Sequence, residues 1–417
     1  MSPTFRALRN PNYRLYLAGS VVSNTGTWMM RVAQDWLVLK PLHNGSSVLG
    51  ITTGLQFLPV LLLTPYAGVI ADRMPKRRLL QITQTVMGLF SLLAGIIAVM
   101  GDSRTWIVFL CAIGVGVGSA FDAPARQSFV SEMVDQDDLT NAVGLNSASF
   151  NAARIVGPGV AGLLIAAMGS GQFATGIVFL INAVSYLAVI AQLQRMNGAL
   201  LHAPMLRKRA RGALREGVAY VRHQPKMLFV LITVFFAGAF GMNSQLTSAL
   251  MATHVFGKGA GEYGVLGSVQ AIGSLLGALL AARRQTIRLR LIIGASAAFG
   301  VSEIIAGSLP SYWLFAFAMP FIGFFMLTTL NSSNATMQLE SDPAVRGRVM
   351  GLYMTVVQGG TPIGSPFIGW IGGDFGARST LWVGGALTLV GTALGSSVLV
   401  RLRGGVRSVL TPSADAR

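Results

Sequence analysis

Long apolar runs recur along the whole chain, and few of them carry a charge. They read as Tyr13–Leu39, Val48–Ala71, Leu79–Met100, Trp106–Ala123, Asn141–Met168 and Phe173–Leu193, then Met227–Val255, Val265–Ala282, Leu291–Ser308, Trp313–Asn334, Val349–Ile371 and Thr380–Val400. About 20 apolar residues cross the hydrocarbon core of a bilayer. Backbone N–H and C=O groups in lipid need partners within the segment, so such runs are helices, whereas a membrane barrel would alternate apolar and polar residues. Composition agrees. Hydrophobic residues make up 52% of the chain and charged residues 11%, with a mean hydropathy of +0.59. A soluble domain carries about 25% charged residues, and this chain in water would expose large apolar patches. The expected fold is therefore an all-α integral membrane protein with twelve transmembrane helices.

Position explains the net charge of +17 and the pI near 11.1. Of the 32 basic residues, 26 fall on one side of the twelve spans, in the termini, in alternate connections and, for Arg14, at the start of the first span. Only Lys40, Arg104, Lys258 and Arg378 fall on the other side, and Arg31 and Arg154 lie within spans. Basic residues stay in the cytoplasm, so both termini are expected there. Topology accounts for the charge, and no nucleic-acid partner is expected.

The longest basic connection, Arg195–Lys226, falls at the midpoint of the chain. Within it Leu214, Val218 and Val221 share one helical face, which suits either an amphipathic helix on the membrane surface or a plain linker helix. Features on its two sides correspond. Gly68 and Gly277 are 209 residues apart, Glu132 and Glu340 are 208 apart, and Gly162 and Gly369 are 207 apart. A duplicated six-helix unit explains that spacing, and parallel repeats are a transporter architecture. The expected domains are residues 1–195, a linker at 196–226, a second bundle at 227–403 and a tail at 404–417.

Four stretches carry polar chemistry at membrane depth or at its edge. The first is Gly68-Val-Ile-Ala-Asp72-Arg73-Met-Pro-Lys-Arg77-Arg78, after the second span. Asp72 stands there among cations at a membrane boundary. The second is Asp122-Ala-Pro-Ala-Arg126-Gln127 at the end of the fourth span, where Asp122 and Arg126 are spaced to pair. The third is the fifth span, where Ser147, Asn151, Arg154 and Pro158 share a face. Arg154 lies about 20 Å into the span, at 1.5 Å per residue. An arginine at that depth needs a partner or water, so it either lines a functional cavity or forms a buried structural pair. The fourth is the first span, with Ser20, Asn24, Trp28, Arg31 and Asp35 in one stripe. A carboxylate within a span is costly in its charged form, which makes Asp35, and after it Glu303, candidates for taking up and releasing a proton. Arg31 would oppose protonation if it paired with Asp35, and that structural pair is the competing reading.

The first stretch resembles the signature of the loop between helices 2 and 3 in the major facilitator superfamily, Gly-x-x-x-Asp-Arg/Lys-x-x-x-Arg-Arg/Lys. The resemblance implies that Gly68, Asp72, Arg73 and Arg77 lock the halves on the cytoplasmic side in the outward-facing state. It implies that Asp122 helps to hold a loop arginine, although a proton site remains an alternative. The copy near Gly277 keeps Arg283 and Arg284 but has Ala281 in place of the acid. Gly157-Pro158 resembles the Gly-Pro signature of exporters in this superfamily, with Ala161-Gly162 where Gly-Gly is usual. The Asp122–Gln127 and Ala153–Pro158 stretches, with Arg215-Glu216-Gly217 and Tyr220-Val221-Arg222, resemble the bacterial transmembrane secretion effector branch, which contains enterobactin exporters and macrolide efflux proteins.

Enzyme readings find no support. Gly114-Val-Gly116-Val-Gly118 lies in a helical span with no strand before it, so it reads as helix packing. No Gly-x-x-x-x-Gly-Lys-Ser/Thr is present, and His43, His202, His223 and His254 make no metal pattern. No cofactor or metal is expected. The expected function is proton-coupled export of a small amphiphilic molecule, drug or siderophore-like, by a monomer working through alternating access. The expected cavity residues are Asn24, Trp28, Arg31, Asn151 and Arg154, with Asn243 and Gln245 from the seventh span. Nutrient uptake and a non-transporting sensor or scaffold are the alternatives.

Overall fold

The computed structural model describes residues 3–202, 213–282, 288–343 and 345–402. The side chain of Asp72, the residues Arg283 and Arg284, most of the basic stretch Arg207–Arg215 and the tail at 404–417 lie outside the described residues.

Every long apolar run folds as a helix. The first six are α1 (Pro11–Leu39), α2 (Ser46–Arg73), α3 (Lys76–Val99), α4 (Thr105–Met133), α5 (Gln136–Ala167) and α6 (Gln172–Arg195). A linker helix α7 (Ala213–Arg222) follows. Then come α8 (Pro225–Val255), α9 (Ala260–Ala282), α10 (Leu289–Ser308), α11 (Tyr312–Glu340), α12 (Arg346–Asp374) and α13 (Ala377–Leu402). The shortest of the twelve long helices has 20 residues, about 30 Å of rise and enough to span the hydrocarbon core. Ten of them are apolar enough to cross a membrane by composition. The other two, α1 and α12, have the length but carry polar stripes. Local chemistry sets the ends: Pro11 opens α1 while the Asn10 side chain accepts the Tyr13 N–H at 3.1 Å.

Two compact units form, one from Met1–Lys208 with Gly257–Ser268 and one from Arg209–Phe256 with Val269–Arg417. In the first, α1 packs on α5 and α6, α3 packs on α4 and α6, and α2 packs on α4. In the second, α8 packs on α12 and α13, and α10 packs on α11 and α13. There α9 lies so close to α11 that a Cβ on Gly273 would meet the Pro320 carbonyl oxygen at 1.9 Å. Replacing α1–α6 by α8–α13 in order converts one packing scheme into the other, so the chain is a six-helix pseudo-repeat. Large apolar side chains such as Leu62, Leu89, Leu163, Leu187, Trp313 and Phe317 are exposed on the helices, as a lipid-facing surface requires.

The glycines of α4 pack as their spacing suggests. A Cβ on Gly116 would sit 2.2 Å from the Gln56 carbonyl oxygen of α2, and one on Gly114 would enter the Phe90 ring of α3. The linker helix α7 packs against α12, burying Val221 while Val218 remains exposed. The Tyr220 hydroxyl accepts the Asp342 N–H at 3.3 Å. The Val221 side of its apolar face is therefore taken up by protein.

α8 is not a uniform α-helix. Met242 N–H reaches back five residues to Ala237 O (2.8 Å), and Phe256 N–H reaches Met251 O (3.0 Å). These two wide π-type turns are local insertions of the kind that often mark functional helices.

Candidate functional site

The stripe on α1 meets the stripe on α5 inside the first unit. Gly157 permits it, because a Cβ there would lie 2.6 Å from the Trp28 Cβ and 3.0 Å from the Thr25 carbonyl oxygen. With the helices this close, Arg154 reaches Trp28 across the contact. Its guanidinium carbon lies 5.5 Å from the Trp28 ring centroid. The Arg31 guanidinium lies 4.8 Å from the same centroid and 5.4 Å from that of Phe57 on α2. Phe150 packs edge-on against Trp28 at 6.0 Å. The result is two guanidinium groups held against a wall of three aromatic rings, which such cations favour. Arg31, Arg154, Trp28, Asn24, Asn151 and Phe57 are all partly accessible, and Phe150 is exposed. Asn151 turns its amide to its own helix, donating to Ser147 O at 2.9 Å.

Asp35, one turn beyond Arg31, is buried. Among the described residues it makes no ion pair with Arg31. Its Oδ2 instead accepts the hydroxyl of Tyr263, on α9, at 2.6 Å. Backbone contact between α5 and α9 carries Tyr263 there. A Cβ on Gly264 would lie 2.3 Å from Pro158 O, and one on Gly162 would lie 2.4 Å from Ala260 O. The Gly159 N–H donates to Ser268 Oγ at 3.0 Å. The Gly157-Pro158-Gly159 stretch thus supports α1 through one glycine and the start of α9 through its neighbours. Nearby, Gln34 Nε2 donates to Gln56 Oε1 at 3.3 Å. Another face of α1 borders a separate, mostly apolar cavity lined by Met30, Gln34, Phe90, Ser91, Cys111 and Phe179.

The residues expected to gate form two groupings. Asp122 is buried and fully bonded: its Oδ2 accepts Arg126 Nε at 2.5 Å, and its Oδ1 accepts Thr83 Oγ1 at 2.9 Å and Gln84 Nε2 at 2.7 Å. Arg126 Nη1 donates to Ser20 Oγ at 3.1 Å, so the cluster joins α1, α3 and α4. Arg77 lies elsewhere, donating to Gln194 O at 2.7 Å near the C-terminal end of α6, where a cation suits the free carbonyls. Arg73 is exposed at the end of α2, the helix that also carries Gly68. Lys76, beside them, forms a nearly buried ion pair with Glu132 at 2.8 Å.

In the second unit Glu303 is buried, and its Oε2 has no hydrogen-bond partner among the described residues. It lies where a Cβ on Gly241, in the first wide turn of α8, would meet it at 3.0 Å. Asn243 was expected to line a cavity, but it is buried and serves the same turn. Its Nδ2 donates to Ala239 O (2.7 Å) and Phe240 O (3.3 Å), and its Oδ1 accepts Ser365 Oγ (2.6 Å). Gln245 is partly accessible.

Sequence reasoning missed Tyr263, Phe57 and Phe150. Tyr263 lies two residues ahead of the apolar run starting at Val265, so hydropathy placed it outside the span. A polar aromatic at the mouth of a small-residue helix was the available signal.

Comparison with known proteins agrees with this architecture. The profile of the transmembrane secretion effector family matches residues 2–414. The chain is 24% identical over 382 residues to the staphyloferrin A transporter of Staphylococcus aureus, covering 90% of this chain and 93% of that one. It is 28% identical over 386 residues to the multidrug efflux pump Tap of Mycolicibacterium fortuitum, covering 88% and 90%. Its fold is similar to that of a bacterial homolog to the human lysosomal transporter Spinster, with a TM-score of 0.72, 15% identity and coverage of 96% and 99%. With two six-helix repeats and a match along nearly its whole length, the chain belongs to the transmembrane secretion effector family of major facilitator transporters.

Proposed function

We propose that this transporter exports a small amphiphilic molecule, drug or siderophore-like, in exchange for protons, by alternating access. The observation that carries the reading is Asp35, a buried carboxyl in α1 bonded to Tyr263 beside the accessible Trp28–Arg31–Arg154 cluster. A carboxyl at membrane depth marks a proton or ion pathway by default. The efflux relatives and the Gly157-Pro158 stretch support the outward direction. Asp35 would load a proton from outside and release it inside, and substrate would compete for the same charge environment. Glu303, buried in the second unit, is a further carboxyl available to protons.

We read the chain as two bundles, residues 1–195 and 227–403, joined by the linker at 196–226, with the tail at 404–417. We place it as a monomer in a bacterial inner membrane with both termini in the cytoplasm. The Gly68–Arg78 stretch and Asp122–Arg126 are our proposed cytoplasmic gate.

Everted membrane vesicles with an acidic interior test this, using 8-anilinonaphthalene-1-sulfonate, N-phenylnaphthylamine and ethidium as anionic, neutral and cationic probes. The expected result is gradient-dependent accumulation of at least one probe, abolished in Asp35→Asn. Full gradient-driven accumulation in that variant overturns the assignment of Asp35.

A further inference from the structure

Arg31 and Arg154 are the two basic residues that stand deep within the expected spans, Arg14 lying at the very start of the first, and the structure brings both to one indole ring, at 4.8 and 5.5 Å. Among the described residues neither guanidinium forms an ion pair. Arg31 Nε is buried without a hydrogen-bond partner. The nearby carboxyl, Asp35, is already bonded to Tyr263. The cluster therefore holds more positive than negative charge, at a depth where uncompensated charge is costly. The aromatic rings compensate part of it. A fold held together by these arginines alone would have supplied them with carboxylates, as it supplies Arg126 with Asp122.

The rings of the cluster are themselves partly accessible. Trp28, Phe57 and Phe150 offer flat ring surface, with Phe150 45% exposed. Aromatic rings of a ligand pack well on such a wall. Guanidinium groups match the planar, two-oxygen geometry of a carboxylate or phosphate and bind it through paired hydrogen bonds.

We infer that the transported molecule is an oxyanion: an amphiphile whose carboxylate or phosphate is held by Arg31 and Arg154 while its apolar, ring-bearing body lies on Trp28, Phe57 and Phe150. This rests on the reading of the cluster as the transport site. Its charge logic is the reverse of that for a cationic drug, which would be repelled by the same two groups. The shared oxyanion chemistry leaves the choice between carboxylate and phosphate to measurement.

The test uses the purified full-length protein in lipid nanodiscs and four ligands with one body: 2-naphthoate, 2-naphthyl phosphate, 2-naphthamide and 2-naphthylmethylamine. Binding is read by tryptophan fluorescence and by thermal shift. The expected result is a Kd at least tenfold lower for naphthoate, naphthyl phosphate or both than for the amide, with the amine weakest. The tighter of the two oxyanions identifies the head group. Arg31→Gln and Arg154→Gln should each remove most of that preference, with Arg→Lys retaining more of it than Gln. Should a Gln variant fail to fold, the ligand series on the native protein still decides. Equal or tighter binding of the amide or amine overturns the inference, as does a preference unchanged in folded Gln variants. Gradient-driven flux of a neutral or cationic probe without oxyanion preference overturns this inference alone. Oxyanion preference without gradient-driven flux supports it and overturns the export reading.

Discussion

An alanine at position 264 probes the link between helix packing and the polar site. Its Cβ would lie 2.3 Å from Pro158 O and 3.0 Å from the Gly162 Cα. Ordinary contact begins at about 3.5 Å, so the closest approach falls short by roughly 1 Å. The opposing atoms are backbone and cannot rotate away. The start of α9 must therefore move off α5 by about that much, and Tyr263 moves with it. The Tyr263–Asp35 hydrogen bond, now 2.6 Å, would lengthen to about 3.6 Å, beyond hydrogen-bond range. Crowding costs about 1–3 kcal/mol, and loss of a hydrogen bond to a carboxyl costs about 1–3 kcal/mol more. Tyr263→Phe removes the bond without moving the helix, so it should cost only the second amount. If the alanine already breaks the bond, the double variant Gly264→Ala/Tyr263→Phe should be no less stable than Gly264→Ala alone. Reversible unfolding in mixed micelles measures all three, with vesicle efflux as the parallel readout. A Gly264→Ala variant within about 0.5 kcal/mol of the parent, or strict additivity in the double variant, would refute the reasoning.

Two other buried acids should respond oppositely to removal. Asp122→Ala leaves the largely buried Arg126 without its carboxylate, and breaking such a pair costs about 3–5 kcal/mol. Asp122→Ala/Arg126→Leu should recover much of that in a thermal unfolding assay, and no recovery would mean that the pair is not the cause. Glu303→Gln strands no partner of its Oε2, so stability should stay within about 1 kcal/mol of the parent or rise. A loss above about 3 kcal/mol would reveal a bonded role for Glu303.

The fold was legible because the rule that makes a helix in lipid is a rule about composition, and the twelve runs obey it. Only α1 and α12 blur it, since their polar faces dilute the apolar signal. The site was legible as far as one helix reaches. The stripe through Trp28, Arg31 and Asp35 and that through Asn151 and Arg154 follow from the helical period alone. What lay opposite each stripe did not. Arg31 and Asp35 have the spacing of a pair, yet Asp35 takes its hydrogen bond from a residue 228 positions away. Asn243 reads as a polar residue in a span, but it serves a wide turn of α8, and no periodicity predicts the extra residue in such a turn.

The Gly157-Pro158-Gly159 stretch bears on both outcomes. Asp35 and Arg154 lie on different helices, and Tyr263 lies on a third. Arg154 reaches Trp28 and Tyr263 reaches Asp35 only if the backbones that carry them nearly touch. The sites of that touching are Gly157 against Thr25 and Trp28, Gly162 against Ala260, and Gly264 against Pro158. Any side chain at these positions would hold the helices apart by the thickness of a methyl group and disengage Tyr263 from Asp35. The glycines therefore do more than favour tight packing in lipid. They set the distance at which a carboxyl on one helix is controlled by a hydroxyl on another, next to two arginines that form no ion pair among the described residues. On this argument the exporter-like Gly-Pro stretch and the polar stripes on α1 and α5 form one device, and a substitution at Gly157, Gly162 or Gly264 should act on transport through Asp35.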